Sequence, residues 1–558
     1  MVRPAHGGSC VRAALRFWRT PVVVLTPLLA LIVPLLARQQ NGEIPQEALC
    51  GYSIIVMAIY WMTEALPIQV TALLPVVLFP ITGVLTTKEV CGQYMTSANM
   101  LFFGGLMVAA AVEHSNLHLR IALRVLSLMG TGIKWLMLGF MGVTMFLSMW
   151  ISNTATTAMM APIIERLVNI LVEPSADEED QEQGAKGSMA PLRPPLGVSR
   201  RQLSTALYIS VAYAANCGGT GTLTGTNPNL VLKGQLDELF GAETGLTYAN
   251  FMLFGVPSML LCTLLAWIWL VILFLGIKQF WCCKDEDPSQ FAEVKRSLQQ
   301  RYRDLGPMSF HEGMVLFLFV VLVLLWFLRS PRFIPGWAEL FPTAISDATP
   351  AIFIVVLMFI IPAKPNFAFW SATSRDQTKV SQGLLTWKAV HEKVPWGVLV
   401  LLGGGFAMAR AAKDSGLSVL IGDRLSFAFD LPPVALVFIV CLFTAMVTEV
   451  SSNTATATVL LPVLAAAAQD AGVNPIYLML PTTMTCSYAF MLPVATPPNA
   501  IVHQAGGLKT KDMIRAGALM NVICVAVITL MTNTLGVALF DLHTFPAWAN
   551  VTRNGTAT

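Results

Sequence analysis

Two copies of one short polar phrase contain the residues of this chain that are best suited to chemistry. Ser152-Asn153-Thr154-Ala155-Thr156 recurs as Ser452-Asn453-Thr454-Ala455-Thr456, each time inside a long apolar stretch and at the same distance before a proline. Hydroxyl and amide groups are costly among apolar residues unless they serve a purpose. Such neutral oxygens suit a hard cation such as Na⁺, whereas amides and hydroxyls at helix N-termini suit an anion.

Each half of the chain also contains a later interruption of an apolar stretch. Residues 218–229 hold four glycines and a proline, and residues 495–499 read Ala-Thr-Pro-Pro-Asn. Glycine and proline at this density stop a helix and free its backbone carbonyls and amides. We call these segments the first and second break, and the repeated phrases with the residues just before them the first and second tip. Each tip is expected to meet the break of its own half.

The repeat extends beyond the phrase at a constant offset of 300 residues. Gly104-Gly105 matches Gly404-Gly405, and Ser148 matches Thr448, a hydroxyl one helical turn before each tip. Taken singly, such a hydroxyl most often bonds a carbonyl of its own helix. As a matched pair, Ser148 and Thr448 are candidate cation ligands.

The two breaks match at an offset of 270 rather than 300. Thr226-Asn227-Pro228-Asn229 corresponds to Thr496-Pro497-Pro498-Asn499. The difference of thirty is about the size of segment 173–203, which is polar, contains prolines and has no counterpart in the second half. We therefore interpret 173–203 as a flexible cytoplasmic insert.

Composition places the chain among polytopic all-α membrane proteins. Of 558 residues, 55% are hydrophobic and 12% are charged, whereas soluble domains carry about 25% charged residues. The net charge is +3 and no basic patch indicates nucleic acid as a partner. The cysteines lack zinc-ligand spacing, and no GxxxxGK[ST], HExxH or GxSxG motif is present, so neither an ATP-driven protein nor an enzyme is expected.

The apolar stretches predict about eleven transmembrane helices and two re-entrant hairpins. The hairpins, 134–172 and 434–470, carry the tips at their centres, because polar backbone at membrane depth is tolerated where it lines a cavity. The predicted spans lie near 21–37, 52–67, 70–86, 99–113, 204–233, 250–277, 313–329, 349–362, 396–410, 476–503 and 514–538. The predicted organisation is 1–45 as N-terminus and first helix, 46–277 as repeat 1, 278–312 as cytoplasmic linker, 313–540 as repeat 2, and 541–558 as tail.

Loop charges and glycosylation signals orient the chain. Loop 278–312 is rich in lysine and arginine, whereas loop 234–249 has none, which places the former in the cytoplasm. Asn550 and Asn554 begin two glycosylation sequons, which require an extracellular tail. An N-terminus inside and a C-terminus outside agree with eleven spans in a multi-pass plasma-membrane protein. Five spans plus a hairpin per half make the repeats inverted, with two half-sites facing one cavity.

The predicted cavity contains neither arginine nor lysine. A bare dianion cannot enter a site of low dielectric constant without compensating charge, so co-bound cations must supply it. Substrate and ion binding would then be linked directly. Among ionisable residues of the predicted membrane region, Glu449, beside the second tip, is the strongest candidate for a functional role. A proton- or sodium-linked role is open, but a hydrogen-bonded structural carboxylate is favoured.

These motifs, with the run from Ala489 to Val502, resemble the divalent anion/sodium symporter family. Its animal members are the sodium-coupled di- and tricarboxylate and sulfate cotransporters of solute carrier family 13. The likeness covers about residues 50–552 and implies eleven helices, two hairpins and a homodimer. Each subunit would have a scaffold domain and a transport domain that moves by an elevator motion.

Asn227 departs from the family pattern, because animal relatives usually have a small residue at this position. Its larger side chain would narrow the pocket or add a hydrogen bond.

The resemblance also implies roles for individual residues. Six would contact substrate carboxylates: Asn153, Thr154, Thr226, Asn453, Thr454 and Thr496. One sodium site would use Ser148, Ser152, Asn153 and Gly225, and the other Thr448, Ser451, Asn453 and Ala495. The favoured function is electrogenic sodium-coupled import of succinate, citrate or α-ketoglutarate, since both tip threonines are intact. The alternative hypothesis for the substrate is sodium–sulfate cotransport. The alternative hypothesis for the mechanism is an anion channel.

Overall fold

A computed structural model shows a helical protein. It describes residues 18–38, 43–128, 132–172, 200–241, 244–276, 288–330, 335–343, 345–364, 382–425, 429 and 431–550. Within these ranges the sole extended pairing is an isolated antiparallel bridge between Pro362 and Gly383, and no strand forms. The prediction of an all-α protein is confirmed for the described residues.

The helices of the first half overlap the predicted apolar stretches, but the stretches 70–86 and 204–233 are each divided between two helices. They are α1 Arg19–Ala30, α2 Ile32–Leu36, α3 Gln46–Thr63, α4 Ile68–Thr71, α5 Pro75–Thr82, α6 Thr87–Gly92, α7 Ser97–His114, α8 Leu117–Leu128, α9 Ile133–Ser148, α10 Asn153–Val172, α11 Arg200–Gly218, α12 Asn227–Phe240 and α13 Tyr248–Leu270. Helix α11 begins inside the last residues of the predicted insert, and residues 173–199 of that insert lie outside the described ranges.

The second half repeats this arrangement after a linker helix. Its helices are α14 Pro288–Asp304, α15 Phe310–Phe327, α16 Ala348–Ile360, α17 Trp387–Lys393, α18 Trp396–Asp414, α19 Leu417–Leu425, α20 Pro433–Thr448, α21 Asn453–Asp470, α22 Pro475–Thr485, α23 Pro497–Ala505, α24 Thr510–Met531 and α25 Val537–Phe540. Helix α14 lies within the linker predicted over 278–312, of which residues 278–287 are outside the described ranges.

Several helices are apolar enough to cross a membrane. In the described part of the chain, five helical stretches are long enough: Arg19–Leu36, Thr87–His114, Tyr248–Leu275, Phe310–Phe327 and Thr510–Phe540. Helices α17 and α18 form a further candidate, bent by 66°, and shorter apolar helices accompany them. The chain is thus a polytopic membrane protein, while the count of eleven crossings stays a prediction.

Each segment predicted as a re-entrant hairpin contains two helices joined by four residues, while their re-entry into the membrane stays a prediction. Helices α9 and α10 flank residues 149–152, and α20 and α21 flank residues 449–452. In each half the helix that carries the later apolar stretch is interrupted, over residues 219–226 between α11 and α12 and over residues 486–496 between α22 and α23. The first interruption lies within the predicted break, whereas the second begins nine residues before it. The polar tips and the breaks are therefore all places where helices end or begin.

The two halves interlock around these ends. Helix α10 packs against α23 of the other half, and α21 packs against α12. The matched glycines allow close packing beside them: a Cβ on Gly405 would clash with Thr458 Cγ2 of α21, and one on Gly105 would lie 3.1 Å from Thr224 Cγ2 before α12. Small residues at equivalent points thus bring α7 and α18 against the segments that carry the site.

Candidate functional site

The first tip and first break meet around the side chain of Asn153. Ser148, fully buried at the end of α9, donates its hydroxyl to Asn153 Oδ1 over 2.6 Å. A Cβ built on Gly219 would stand 2.9 Å from the same oxygen, and one on Gly225 would stand 3.1 Å from the carbonyl oxygen of Met149. Glycine at these positions lets the backbone of the break approach the tip closely.

The second tip repeats the pairing of hydroxyl and amide. Thr448, also fully buried, lies 2.8 Å from Asn453 Oδ1 and 2.7 Å from the carbonyl oxygen of Cys486, and donates to either. Bonding to a carbonyl of the same helix, which is usual for a single helical hydroxyl, does not describe Ser148 or Thr448. The predicted equivalence of these two hydroxyls is confirmed in their geometry.

The two breaks share the backbone conformation of the residue that precedes the next helix and the same internal brace. Thr226 and Thr496 precede their helices with φ/ψ of −148°/151° and −142°/150°. Asn229 donates to the carbonyls of residues 219 and 222 over 3.1 and 2.7 Å, and Asn499 donates to those of residues 489 and 492 over 2.9 and 3.0 Å. Every member of this set is related by the offset of 270, so the breaks are structural repeats.

Four helix N-termini come together at this centre. Helices α10 and α21 begin at the two tip asparagines, and α12 and α23 begin directly after the two break threonines. Unpaired backbone N–H groups and the helix dipole make such ends favourable for negative charge. The freed carbonyls of the tips and breaks, in contrast, present oxygen to a cation.

The half-sites touch each other directly. Asn227 Nδ2 of the first break donates to Thr454 Oγ1 of the second tip over 3.2 Å. Asn216, at the end of α11, donates to Thr496 Oγ1 of the second break over 3.2 Å. The six predicted substrate contacts therefore belong to one region, and every hydrogen-bond partner that they have among the described residues is neutral.

The asymmetry between the halves is greatest at the tip threonines. Thr154 is exposed, whereas Thr454 is 5% exposed and accepts the bond from Asn227. Asn227 thus adds a hydrogen bond across the centre, one of the two effects expected from its larger side chain. Its half-buried amide also occupies space between the first break and the second tip.

Glu449 is a buried carboxylate that is hydrogen-bonded to the backbone just before the second break. It is 1% exposed, and its oxygens accept from the amide nitrogens of Phe490, Met491 and Leu492 over 2.7, 2.9 and 3.0 Å. Asn521 Nδ2 of α24 provides a fourth donor at 2.8 Å. The predicted hydrogen bonding of this carboxylate is confirmed, and its structural role stays a prediction. In the first half the corresponding link is neutral, from Thr222 Oγ1 to the carbonyl of Met149 at 2.6 Å.

The remaining predicted sodium ligands lie at the tips and the second break, but with local partners. Ser152 Oγ accepts from the amide of Ala155 over 3.2 Å and so caps α10. Ser451 Oγ lies 2.6 Å from Thr456 Oγ1, and Ala495, which is buried, donates its backbone N–H to the carbonyl of Leu492 over 3.2 Å. Their roles as ligands stay predictions. Of the two glycosylation sites, Asn550 is exposed and Asn554 lies outside the described ranges.

Sequence reasoning missed several residues that hold the site together. Asn229 and Asn499 stood in the matched motifs, so the offset could have identified them as braces. Asn216 and Asn521 gave no such signal, because the offset pairs Asn216 with Cys486 and a lone buried asparagine has no distinctive spacing.

Comparison with known proteins decides the family. A family model described as the sodium:sulfate symporter transmembrane region matches residues 16–542. This chain belongs to that family. The rat Na(+)/citrate cotransporter is 43% identical over 96% of both chains, and human solute carrier family 13 member 2 is 44% identical over 97% of this chain and 96% of its own. Rat Na(+)/dicarboxylate cotransporter 3 is 42% identical over 95% of this chain and 94% of its own.

Among solved structures, this family member is similar to the Alcanivorax borkumensis YdaH transporter. The two are 12% identical and superimpose with a TM-score of 0.49 over 94% of this chain and 98% of the other. The assignment to the symporter family rests on the sequence relatives, not on this distant likeness.

Proposed function

We propose that this chain is a sodium-coupled symporter that imports di- and tricarboxylates such as succinate, citrate and α-ketoglutarate. The observation that carries the proposal is the pair of matched tips, each with a buried hydroxyl held on an asparagine amide, facing the breaks at four converging helix N-termini. Relatives that are 42–43% identical over nearly the whole chain are named as Na⁺/citrate and Na⁺/dicarboxylate cotransporters.

The substrate is proposed to bind between the half-sites. Its carboxylates would accept hydrogen bonds from the tip and break residues Asn153, Thr154, Thr226, Asn453, Thr454 and Thr496. Since all described hydrogen-bond partners of these six residues are neutral, their contacts leave a dianion's charge uncompensated. Sodium ions bound beside the carboxylates would supply the compensation, which links uptake of anion and cation.

Two sodium sites are proposed, one at each tip. The first would use oxygens of Ser148, Ser152, Asn153 and Gly225, and the second those of Thr448, Ser451, Asn453 and Ala495. Hydroxyl, amide and carbonyl oxygens are the neutral ligands that a hard monovalent cation accepts. The buried pairs Ser148–Asn153 and Thr448–Asn453 support this assignment most directly.

The energy available is sufficient for accumulation. A tenfold sodium gradient provides about 1.4 kcal/mol per ion. Three ions with one dianion also carry one net charge, which adds about 1.4 kcal/mol at roughly 60 mV. The total of about 5.6 kcal/mol supports roughly 10⁴-fold accumulation without ATP.

We further propose a dimeric elevator in the plasma membrane. The hairpins and broken helices would form the transport domain, sliding along a scaffold that includes α7 and α18. The glycine contacts of those two helices with the site segments support a close sliding interface. The N-terminus would lie in the cytoplasm and the C-terminus outside.

The direct test is uptake of radiolabelled succinate, citrate and sulfate in cells that express the chain, with Na⁺ or with choline in its place. Concentrative, sodium-dependent uptake of succinate or citrate is expected. A preference for sulfate would favour the alternative substrate, and sodium-independent equilibration would indicate a channel. A pH series that converts trivalent into divalent citrate separates the two citrate species.

A further inference from the structure

Asn216 is a buried polar residue that joins the first half of the chain to the second break. It lies two residues before the end of α11 and is 1% exposed. Its Nδ2 lies 3.2 Å from the carbonyl oxygen of Ala489, 3.2 Å from Thr496 Oγ1 and 3.5 Å from Asn499 Oδ1. Thr496 and Asn499 belong to the second break, and Ala489 lies between α22 and that break, so one amide from the first half contacts both parts of the interruption.

This contact has no equivalent in the other half. The offset of 270 pairs Asn216 with Cys486, which lacks an amide. Asn499 Oδ1 has Asn216 beside it, whereas the equivalent oxygen of Asn229 is buried and has no hydrogen-bond partner in the described part of the chain. Thr496 accepts from Asn216, whereas the side chain of the equivalent Thr226 forms no cap. The repeat symmetry is therefore broken at this residue.

The chemistry of a hydroxyl gives this asymmetry a consequence for binding. A threonine hydroxyl has one proton to donate and lone pairs that accept. At Thr496 the oxygen accepts from Asn216 Nδ2 over 3.2 Å and, more weakly, from the amide of Asn499 over 3.5 Å. Because these two donors occupy the acceptor positions of the Thr496 oxygen, the hydroxyl proton remains available for donation to an anion. Donation into the oxygen also polarises the O–H bond and strengthens its own donation.

We propose that Asn216 is a positioning residue that fixes Thr496 as a hydrogen-bond donor to the transported carboxylate. The inference rests on the proposed function, in which Thr496 contacts substrate. It adds that the two break threonines are unequal: Thr496 is preset as a donor by a residue of the opposite half, and Thr226 is not. Asn216 itself lies behind Thr496 and is not proposed to contact substrate.

Substrate and sodium affinities measured on Asn216→Leu test this role. Leucine has a similar size but donates no hydrogen bond. We expect the half-saturation concentration for succinate to rise about tenfold, the loss typical of one hydrogen bond to a charged group. At saturating succinate the half-saturation concentration for Na⁺ is expected to change less than threefold, because neither tip has a hydrogen bond to Asn216 among the described residues. Equal shifts in both values would indicate a merely structural residue and overturn the proposal.

A double-mutant cycle provides the sharper readout, with Thr226 as the matched control. Thr496→Val removes the hydroxyl that Asn216 acts through, so Asn216→Leu should add less than twofold in that background. In a Thr226→Val background the tenfold effect should persist in full. Equal additivity with both threonines would overturn the proposal. Asn216→Ser, whose side chain is too short for the 3.2 Å contacts, carries the same predictions should the leucine variant not reach the membrane.

Succinate binding by Thr496→Val separates an error in the role of Asn216 from an error in the proposed substrate site. If Thr496→Val binds succinate as the wild type does, the site assignment is wrong and this inference falls with it. If Thr496→Val weakens succinate binding but shows no coupling to Asn216, the proposed site stands and only the inference is overturned.

Discussion

Asn227 Nδ2 donates to Thr454 Oγ1 over 3.2 Å, so the first break is held directly against the second tip. This bond occupies a threonine that is proposed to contact substrate. It also places an amide side chain in the space between the two half-sites. The identity of residue 227 is therefore expected to influence which anion fits.

Asn227→Ala should shift selectivity towards the larger substrate. Removing the amide enlarges the space beside Thr454, which benefits citrate more than succinate. We expect the ratio of citrate to succinate half-saturation concentrations to fall by about tenfold, in the range that one pocket group controls. Competitive uptake of the two labelled acids measures this ratio. An unchanged ratio would exclude Asn227 as a determinant of selectivity.

Ser148→Ala and Thr448→Val should each weaken sodium binding. Each removes a buried hydroxyl that holds a tip asparagine and is proposed as a cation ligand. The half-saturation concentration for Na⁺ should rise about tenfold or more. Uptake at fixed succinate over a series of Na⁺ concentrations measures it.

Two hydroxyls of the same kind serve as controls for that experiment. Ser258 and Thr444 are fully buried but bond the carbonyls of their own helices, at 2.7 Å each. Thr444 lies one turn before Thr448 on the same helix. Ser258→Ala and Thr444→Val should leave sodium affinity unchanged, and a shift as large as that of the tip variants would refute a specific role for Ser148 and Thr448.

Glu449→Gln should destabilise the protein. The carboxylate accepts four hydrogen bonds in a buried position, and an amide nitrogen in place of one oxygen cannot accept from Leu492. Leaving a buried donor unpaired costs about 1–3 kcal/mol. Thermal unfolding of the purified protein measures the loss. As a control, Glu113→Gln breaks a partly exposed ion pair with Lys393 and should lower the stability less. Equal unfolding temperatures for the wild type and Glu449→Gln would contradict the structural role.

The parts of the site that the sequence predicted are those that occur in both halves of the chain. The constant offsets identified both hairpins, both breaks and the equivalence of Ser148 and Thr448, because these features recur at regular spacing. Asn216 and the four donors to Glu449, of which Asn521 is one, could not be predicted, because their contacts join segments far apart in the chain and use residue types that differ between the halves. The number of membrane crossings also remains a prediction, since several apolar helices are short or bent.

The glycosylation sequons test the orientation of the chain. An odd number of spans with a cytoplasmic N-terminus places the tail outside, where Asn550, which is exposed, and Asn554 can be modified. Treatment with a glycosidase should reduce the apparent mass of the wild type but not that of the double variant Asn550→Gln/Asn554→Gln. A wild-type protein without glycan, together with a C-terminal tag reached by antibody only after permeabilisation, would place the tail inside.

The most direct test of the two-half-site account is sodium-dependent uptake by Asn153→Ala and Asn453→Ala, each measured beside its amount at the cell surface. Each asparagine receives the buried hydroxyl of its own tip and begins a helix at the centre of the site. Thr534→Ala, an exposed hydroxyl bonded to its own helix, is the control. The account predicts that both asparagine variants reach the surface and lose sodium-dependent succinate and citrate uptake. Normal transport by either variant would contradict it.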